Sequence, residues 1–421
     1  MTISRGMLRV VLCLALIAMV LSSIAGCGGG DGTPKVSWNS PIEGSNVFGI
    51  ARLKVRATSS ENISQVKFYC DSVDDAHLIG TVANATDSLY TLVWYTTDVA
   101  NGEHTLYAVA RDEEDESGQS SRTVTVGNLT RAEAIAEKVT YQKWTPQMDA
   151  HDPVLSPAFS ARFYDPVPVE APITTAGAED SPFITPDGNN LYFFFTPNMS
   201  IPVTEQILDQ VTGAYWSRKV GGTWTEPQRV WLSYYDEPSM DGVQAVVGNT
   251  MWFCSVRAGN SREVDLYSAE MVNGRWTSWA NLGEPLNVTY EVGELHLTAD
   301  GSQVYFHSNR AGGRGGLDIW VTTKVNGQWQ TPQNVAAVNS DGDDGWPYLS
   351  EDGNELWFYR AYSIYLSVKE NGQWQAPQQV VSPLAGEPTL DRQGNLYFIH
   401  HYLDDSTQKL VEADIYVCRP R

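Results

Sequence analysis

The strongest regularity in this chain of 421 residues is an alternation of apolar and polar positions that restarts five times in its second half. Each restart surrounds a turn signal: Asp187-Gly188, Gly248-Asn249, Asp300-Gly301, Asp352-Gly353 and Gln393-Gly394. Each turn is followed by an aromatic pair: Tyr192-Phe193, Trp252-Phe253, Tyr305-Phe306, Trp357-Phe358 and Tyr397-Phe398. Glycine supplies the positive φ that a tight turn needs, so this arrangement predicts a strand, a hairpin turn and a second strand in each unit. A third run follows, as Ala214-Tyr215-Trp216, Asp265-Leu266-Tyr267, Asp318-Ile319-Trp320, Ser363-Ile364-Tyr365 and Asp414-Ile415-Tyr416. In four units a glycine turn then leads to a tryptophan: Gly222-Thr223-Trp224, Asn273-Gly274-Arg275-Trp276, Asn326-Gly327-Gln328-Trp329 and Asn371-Gly372-Gln373-Trp374. These tryptophans stand 52, 53 and 45 residues apart (276−224, 329−276, 374−329), a near-constant period that marks an array of like units.

Four antiparallel strands per unit of this length predict a propeller blade, and five aromatic pairs predict five blades over residues 160–421. The fifth unit reaches Arg421 directly after its third strand. Upstream, Phe163-Tyr164-Asp165-Pro166 followed by Pro172-Ile173 repeats the aromatic and proline spacing, so this segment is expected to supply the missing outer strand and close the ring. Closest to a known pattern is the third unit, Leu297-Thr298-Ala299-Asp300-Gly301 through Phe306-His307-Ser308-Asn309-Arg310-Ala311-Gly312-Gly313 to Asp318-Ile319-Trp320, with Ser181-Pro182-Phe183-Ile184-Thr185-Pro186-Asp187-Gly188 in the first. These residues resemble the WD40-like repeat of the TolB-type group of bacterial envelope proteins. The second unit departs by lacking the Asp of Asp-Gly, and the fourth by lacking the Asp of Asp-Ile-Tyr. The resemblance implies a fold and assigns no ligand.

Ahead of the array, residues 35–128 carry seven short β-runs, among them Leu53–Ala57, Gln65–Tyr69, Tyr90–Trp94 and Thr105–Val109. Their period-two alternation predicts an immunoglobulin-like β-sandwich. Val66-Lys67-Phe68-Tyr69, Gly102-Glu103-His104-Thr105-Leu106 and Ala110-Arg111-Asp112 are similar to bacterial Ig-like domains, which implies a spacer or a weak binder. The fold class is therefore all-β, a five-bladed β-propeller preceded by an immunoglobulin-like β-sandwich. Within the joining segment 129–159, Thr130 stands three residues before Glu133 at the head of Arg131-Ala132-Glu133-Ala134-Ile135-Ala136-Glu137-Lys138, the capping-box spacing of a short helix.

At the start of the chain, Arg5 and Arg9 precede an apolar run from Val10 to Val20, and Ile24-Ala25-Gly26-Cys27 has small residues ahead of a cysteine. Residues 1–26 resemble a bacterial lipoprotein signal peptide, which implies that Cys27 is lipidated and that a flexible linker, 27–34, follows. Gly28 in place of an aspartate favours the outer membrane or cell surface over the inner membrane. Without residues 1–26 the charge is 26 − 50 = −24, which opposes nucleic acid as a partner and leaves an envelope protein or a polysaccharide. Cys70, Cys254 and Cys418 fall in different units at no metal-ligand spacing, so neither a disulfide framework nor a metal centre is expected, and no motif calls for a cofactor.

Candidate chemistry lies where the innermost strands begin. Counting back from the turn glycines, Asp180, Asp241, Glu294 and Glu387 stand seven or eight places before, and Asp344 nine, so the five units aim up to five carboxylates at one mouth. Trp346 occupies the place of a carboxylate in the fourth unit, and Trp231, Tyr234 and Tyr235 lie outside the repeat as further candidates for the same funnel. Gathered carboxylates raise one another's pKa, the device by which a general acid stays protonated beside an ionised base. Five-bladed glycoside hydrolases of the arabinanase and xylosidase type place Asp, Asp and Glu on the inner strands of three blades, and Asp180, Asp241 and Glu294 hold comparable places. The residues around them follow the TolB-type repeat instead. Asp341-Gly342-Asp343-Asp344-Gly345 lacks the Gly and Glu of a calcium loop, and Arg310–Gly316 lacks the Lys-Ser or Lys-Thr of a phosphate loop. His296, His307, His400 and His401 sit in β-runs with no nucleophile motif and are expected to be structural. The expected function is a lipid-anchored, non-catalytic binding platform with Asp180, Asp241, Glu294, Asp344, Trp346 and Glu387 around the ligand. Hydrolysis by Asp180, Asp241 and Glu294 is the alternative, and a structural part of an envelope assembly is a third.

Overall fold

The structure is a computed structural model and describes residues 32–421. The signal-peptide residues and Cys27 lie outside the described residues. Among the described residues the protein is all-β, with one eight-residue helix, Arg131–Lys138, and a four-residue one, Val203–Gln206. The N-terminal module has two sheets. One orders Lys35–Ser40, Ile50–Thr58 and Leu89–Tyr95, and the other orders Asn46–Val47, Ser117–Val126, Gly102–Asp112, Ile63–Cys70 and Leu78–Val82. Alternate residues of Ile50–Thr58 are buried, the pattern of a strand with one face on a core.

The second half contains five antiparallel sheets in sequence order. Their innermost strands are Ala178–Ile184, Met240–Val247, Val292–Leu297, Asp344–Leu349 and Ala385–Leu390. Each pairs with the strand bearing the aromatic pair, which pairs with a third strand. The innermost strands neighbour one another in cyclic order, that of sheet five lying beside that of sheet one. Cores form between consecutive sheets. Phe253, Leu266, Leu295 and Phe306 belong to one such cluster, and Leu356, Phe358, Tyr305 and Ile319 to another.

The turn chemistry explains the regular hairpins. Asp187, Asp300 and Asp352 each accept from the hydroxyl two residues before (2.6, 2.6 and 2.5 Å) and from the amide two residues after (3.0, 3.0 and 3.1 Å). In the Asn-Gly turns both residues have positive φ, 52° and 77° at Asn273-Gly274, which suits the twist of a two-residue hairpin. Beyond these turns the repeated tryptophans face lysines directly across the strand pair, with the ammonium of Lys219, Lys324 and Lys369 4.9, 5.2 and 4.4 Å from the ring centres of Trp224, Trp329 and Trp374. A lysine laid on the indole shields it and keeps its own charge in water.

The fifth sheet is completed from upstream, as the sequence leads one to expect. Val167–Pro168 pairs antiparallel with Lys409–Cys418, Val167 opposite Val417, and Phe163 bridges Pro420. The sequence did not anticipate that Val154–Leu155 adds a further strand to sheet four beside Val381 and Ser382. The helix has its complete capping box, with the Thr130 amide donating to Glu133 at 2.9 Å and the Glu133 amide to the Thr130 hydroxyl at 3.2 Å. Its first residue, Arg131, is fully buried, lies over Phe193 and Phe195, and donates to the Ile173 carbonyl at 3.0 Å.

If the upstream strand holds the fifth sheet shut, its buried anchor matters more than its exposed neighbour. Phe163 is 0% exposed and Tyr164 54%. Phe163→Ala is expected to cost about 3–5 kcal/mol in urea unfolding, and Tyr164→Ala less than about 1 kcal/mol.

Candidate functional site

Every innermost strand carries a register shift at the same level. The pairing jumps between Asp180 and Phe183, Val243 and Ala245, Gly293 and Leu295, Gly345 and Tyr348, and Gly386 and Thr389. A bulge takes a residue out of the ladder and re-aims its side chain. The residues left out of the pairing are Ser181-Pro182, Gln244, Glu294, Trp346-Pro347 and Glu387-Pro388. Three of them hold a left-handed backbone, Ser181 at φ 47°, Trp346 at 50° and Glu387 at 53°, which costs roughly 1–3 kcal/mol each outside glycine. Glycine precedes Glu294, Trp346 and Glu387 for a steric reason. A Cβ on Gly293 would fall 2.3 Å from His307 Nε2, one on Gly345 3.1 Å from His307 Nδ1, and one on Gly386 3.2 Å from Tyr359.

These side chains meet. The Ser181 hydroxyl donates to Glu294 Oε1 at 3.1 Å, and the Ser181 amide to Asp180 Oδ1 at 2.7 Å. Trp346 and Gln244 also hydrogen-bond to Glu294. Burial, reinforced by the Asp180 charge, pushes the Glu294 carboxyl up to about 8. Burial, then Asp180 and Glu294, push Glu387 well above the carboxylate range. Glu387 hydrogen-bonds to Ser181 and Asp180, and its Oε2 alone is shut off from solvent without a bond. Two cavities share Glu294 and Trp346. One of about 20 Å³ is lined by Pro182, Gln244, His296, Tyr348 and Glu387 among others, and one of about 220 Å³ by Cys254, Arg262, Glu263, Glu291 and His307 among others.

The structure thus brings together Asp180, Glu294, Glu387 and Trp346, and sets Asp241 and Asp344 apart. Asp241 is 2% exposed, receives Arg257 at 2.6 Å and the Ser239 hydroxyl at 2.6 Å, and stands opposite Ser255. Asp344 is fully buried, receives Arg360 at 2.5 Å and the Ser340 hydroxyl at 2.7 Å, and stands opposite Arg360. Glu179, opposite Phe195, holds the same level in sheet one and pairs with Arg131 at 3.5 Å. Acidic residues therefore occupy two levels, an ion-paired one in the sheets and an unpaired one at the bulges. The miscount has a local cause. Sheet two turns through Gly248-Asn249 alone, whereas the other sheets use longer loops, so the same count back from the glycine lands deeper in the strand. Neither cavity is lined by Trp231, Tyr234 or Tyr235.

Sequence reasoning missed Ser181, Gln244 and His307; the glycines that mark the bulge stand before Glu294, Trp346 and Glu387, and none precedes Ser181 or Gln244. His307 and His296 are held neutral, burial pushing each down to about 3. His307 Nδ1 accepts from the Trp346 amide at 3.2 Å and His296 Nδ1 from the Leu349 amide at 3.1 Å, which leaves the ring proton on Nε2 in both. His307 thereby offers a fixed donor beside the larger cavity. His400 is instead buried against Asp149 at 2.6 Å. Asp343 of the acidic loop accepts from the Leu317 amide at 2.9 Å, and Asp318 ties the glycine-rich tip through the Gly315 amide at 3.2 Å. Cys70, Cys254 and Cys418 form no disulfide among the described residues.

Residues 34–108 match the family model of the bacterial Ig domain. Among curated proteins no sequence matches the chain. Solved structures similar to parts of it include an endo-β-1,4-mannanase from Thermotoga petrophila, at 13% identity over 23% of this chain and 20% of that one with a TM-score of 0.20. They also include an α-L-arabinofuranosidase from Lactobacillus brevis (10% identity, 59% of this chain, 92% of that one, TM-score 0.38) and an ulvan lyase of a polysaccharide-lyase family (10%, 75%, 90%, 0.25). The chain thus spans about a fifth of the length of the mannanase.

Two stability outcomes follow from the two levels of acids. Asp241→Ala strands Arg257 in a buried setting and is expected to cost about 3–5 kcal/mol in urea unfolding. Glu294 has the opposite sign of coupling: its folded pKa is raised, so between its ordinary 4.5 and about 8 the folded state holds protons that the unfolded chain releases. Stability should fall as pH rises through that window, and Glu294→Gln should flatten the fall in melting temperature measured against pH.

Proposed function

We propose that residues 160–421 form a five-bladed β-propeller carried by the Ig-like module on a lipid-anchored envelope protein, and that the propeller binds a glycan at the bulge ring. The observation that carries this reading is Trp346, released from its strand beside both cavities and flanked by Glu294, Glu387, Ser181, Gln244 and the neutral His307. A sugar ring needs a flat apolar face with hydrogen-bonding groups converging at its edge, and Trp346, its ring 4.6 Å from that of His307 and 4.9 Å from that of Tyr359, would offer the face toward the cavities. Anchoring through Cys27 would place the site outside the cytoplasm, where polysaccharides are met.

Hydrolysis is a second reading, favoured by one feature: the Glu294 carboxyl, pushed up to about 8, stands beside a second carboxyl, Asp180, as a general acid stands beside its partner. In that case Asp180 and Glu294 would act, with Glu387 in place of the ion-paired Asp241.

Incubating the protein with plant and bacterial polysaccharides, and scoring retention together with reducing-end release, tests both. Retention without release is expected, weakened roughly tenfold, about 1.4 kcal/mol, in Trp346→Ala. Release that disappears in Glu294→Gln would replace binding by hydrolysis. Absence of both would remove the glycan.

A further inference from the structure

Within the Ig-like module three side chains of different donor chemistry converge. Cys70 ends the strand Ile63–Cys70, which lies beside Gly102–Asp112 in the module's second sheet, and His104 stands on that neighbouring strand. Asp71 follows Cys70 directly, where the chain leaves the sheet. One ligand atom each from Cys70, Asp71 and His104 lies within 4.8 Å of the other two, and among the described residues no other three His, Cys, Asp or Glu side chains do so. All three belong to the segment 34–108 that matches the bacterial Ig domain.

Local structure prepares each donor. The Ser72 amide donates to the Cys70 carbonyl at 2.9 Å, and Asp71 between them has φ 67°, the strained form of a three-residue turn. That turn brings the Asp71 carboxylate to the Cys70 thiol, which donates a hydrogen bond to it. On the neighbouring strand, His104 Nε2 lies 2.8 Å from the Ala100 carbonyl oxygen. A carbonyl only accepts, so Nε2 carries the proton and, in the neutral ring, Nδ1 keeps the lone pair. A backbone acceptor on the other ring nitrogen is the usual support of a metal-binding imidazole. Cys70 is buried, His104 half-buried and Asp71 exposed, so the group has a closed floor and one side that faces solvent.

We propose that Cys70, Asp71 and His104 bind a zinc ion through Sγ, a carboxylate oxygen and Nδ1. A thiolate, an imidazole and a carboxylate together suit zinc, whereas magnesium and calcium take oxygen. Three protein donors leave the fourth position of a tetrahedral ion to water or an incoming donor, on the side where Asp71 meets solvent. As the Zn–S bond forms, the thiol proton leaves to the buffer. A count along the sequence misses such a site, because its donors come from neighbouring strands and not from one short motif. It draws no residue from the bulge ring and so stands or falls apart from the glycan reading.

The test is spectroscopic titration of the purified, reduced protein with cobalt(II), which takes the place of zinc and reports its ligands. One equivalent per chain should produce a thiolate-to-cobalt charge-transfer band with the strong visible absorption of a tetrahedral ion, and one equivalent of zinc should abolish both. Cys70→Ser should remove the charge-transfer band, and His104→Gln should weaken cobalt binding by about tenfold or more. His104 is half-buried and its substitution leaves the thiol in place, so this second variant carries the test if Cys70→Ser fails to fold. Cobalt bound to the unmodified protein without a thiolate band would overturn the site, since attraction to a chain of net charge −22 then suffices. A band that persists unchanged in folded Cys70→Ser would overturn it too, because another cysteine then supplies the sulfur. Unchanged affinity in His104→Gln, or no cobalt binding at all, would likewise remove the proposal.

Discussion

Five innermost strands begin around one small space, and everything at the candidate site depends on how their side chains avoid filling it. A regular strand would point every second residue into that space and pack it shut. The shared register shift takes one or two residues per strand out of the ladder, Ser181, Gln244, Glu294, Trp346 and Glu387 among them. Since the sheets are alike and these five residues are not, the ring has direction: hydroxyl, amide, acid, indole and acid in order. A repeated framework with unlike residues at equivalent places is how a symmetric scaffold acquires an asymmetric site.

Immediately along the same strands, chemistry of similar appearance does other work. Glu179, Asp241 and Asp344 tie strands to arginines whose guanidinium groups lie over aromatic rings, Arg257 over Phe253 and Tyr267, Arg360 over Phe358 and Tyr365. These pairs are shielded from water and their partners are fixed, so they hold sheets in register and are unavailable to a ligand. The distinction between the two levels is one of partners, not of residue type. On the innermost strands the acids with arginines belong to the framework, while elsewhere Asp265 and Asp318 are held by amides and Glu412 and Asp414 by Lys143.

The sheets were legible because their signals are local. Asp187-Gly188, Asp300-Gly301 and Asn326-Gly327 encode turns within a few residues, and the aromatic pairs follow at fixed spacing, so neither strand order nor the upstream completion at Val167 required tertiary information. Trp346, Glu294, Glu387 and Asp180 were legible by the same count. Asp241 was misjudged because a two-residue turn in sheet two changes the offset, and Asp344 because its arginine, Arg360, lies across a strand pair. Ser181 and Gln244 were hidden for another reason: a bulge is a property of pairing, and only the glycines at 293, 345 and 386 hint at it in the sequence. The Val154–Leu155 strand is two residues long and carries no periodicity at all.

The two levels also weigh against catalysis by the arrangement first suggested by the sequence. An inverting hydrolase needs one carboxylate free to activate water and a second to protonate the leaving oxygen, in environments that keep their pKa values apart. Asp241, the second acid of that set, accepts from both Arg257 and Ser239, and removing it from those partners would leave an arginine stranded among aromatics. What remains free is Asp180 with Glu294 and Glu387, two of which are disposed to hold protons.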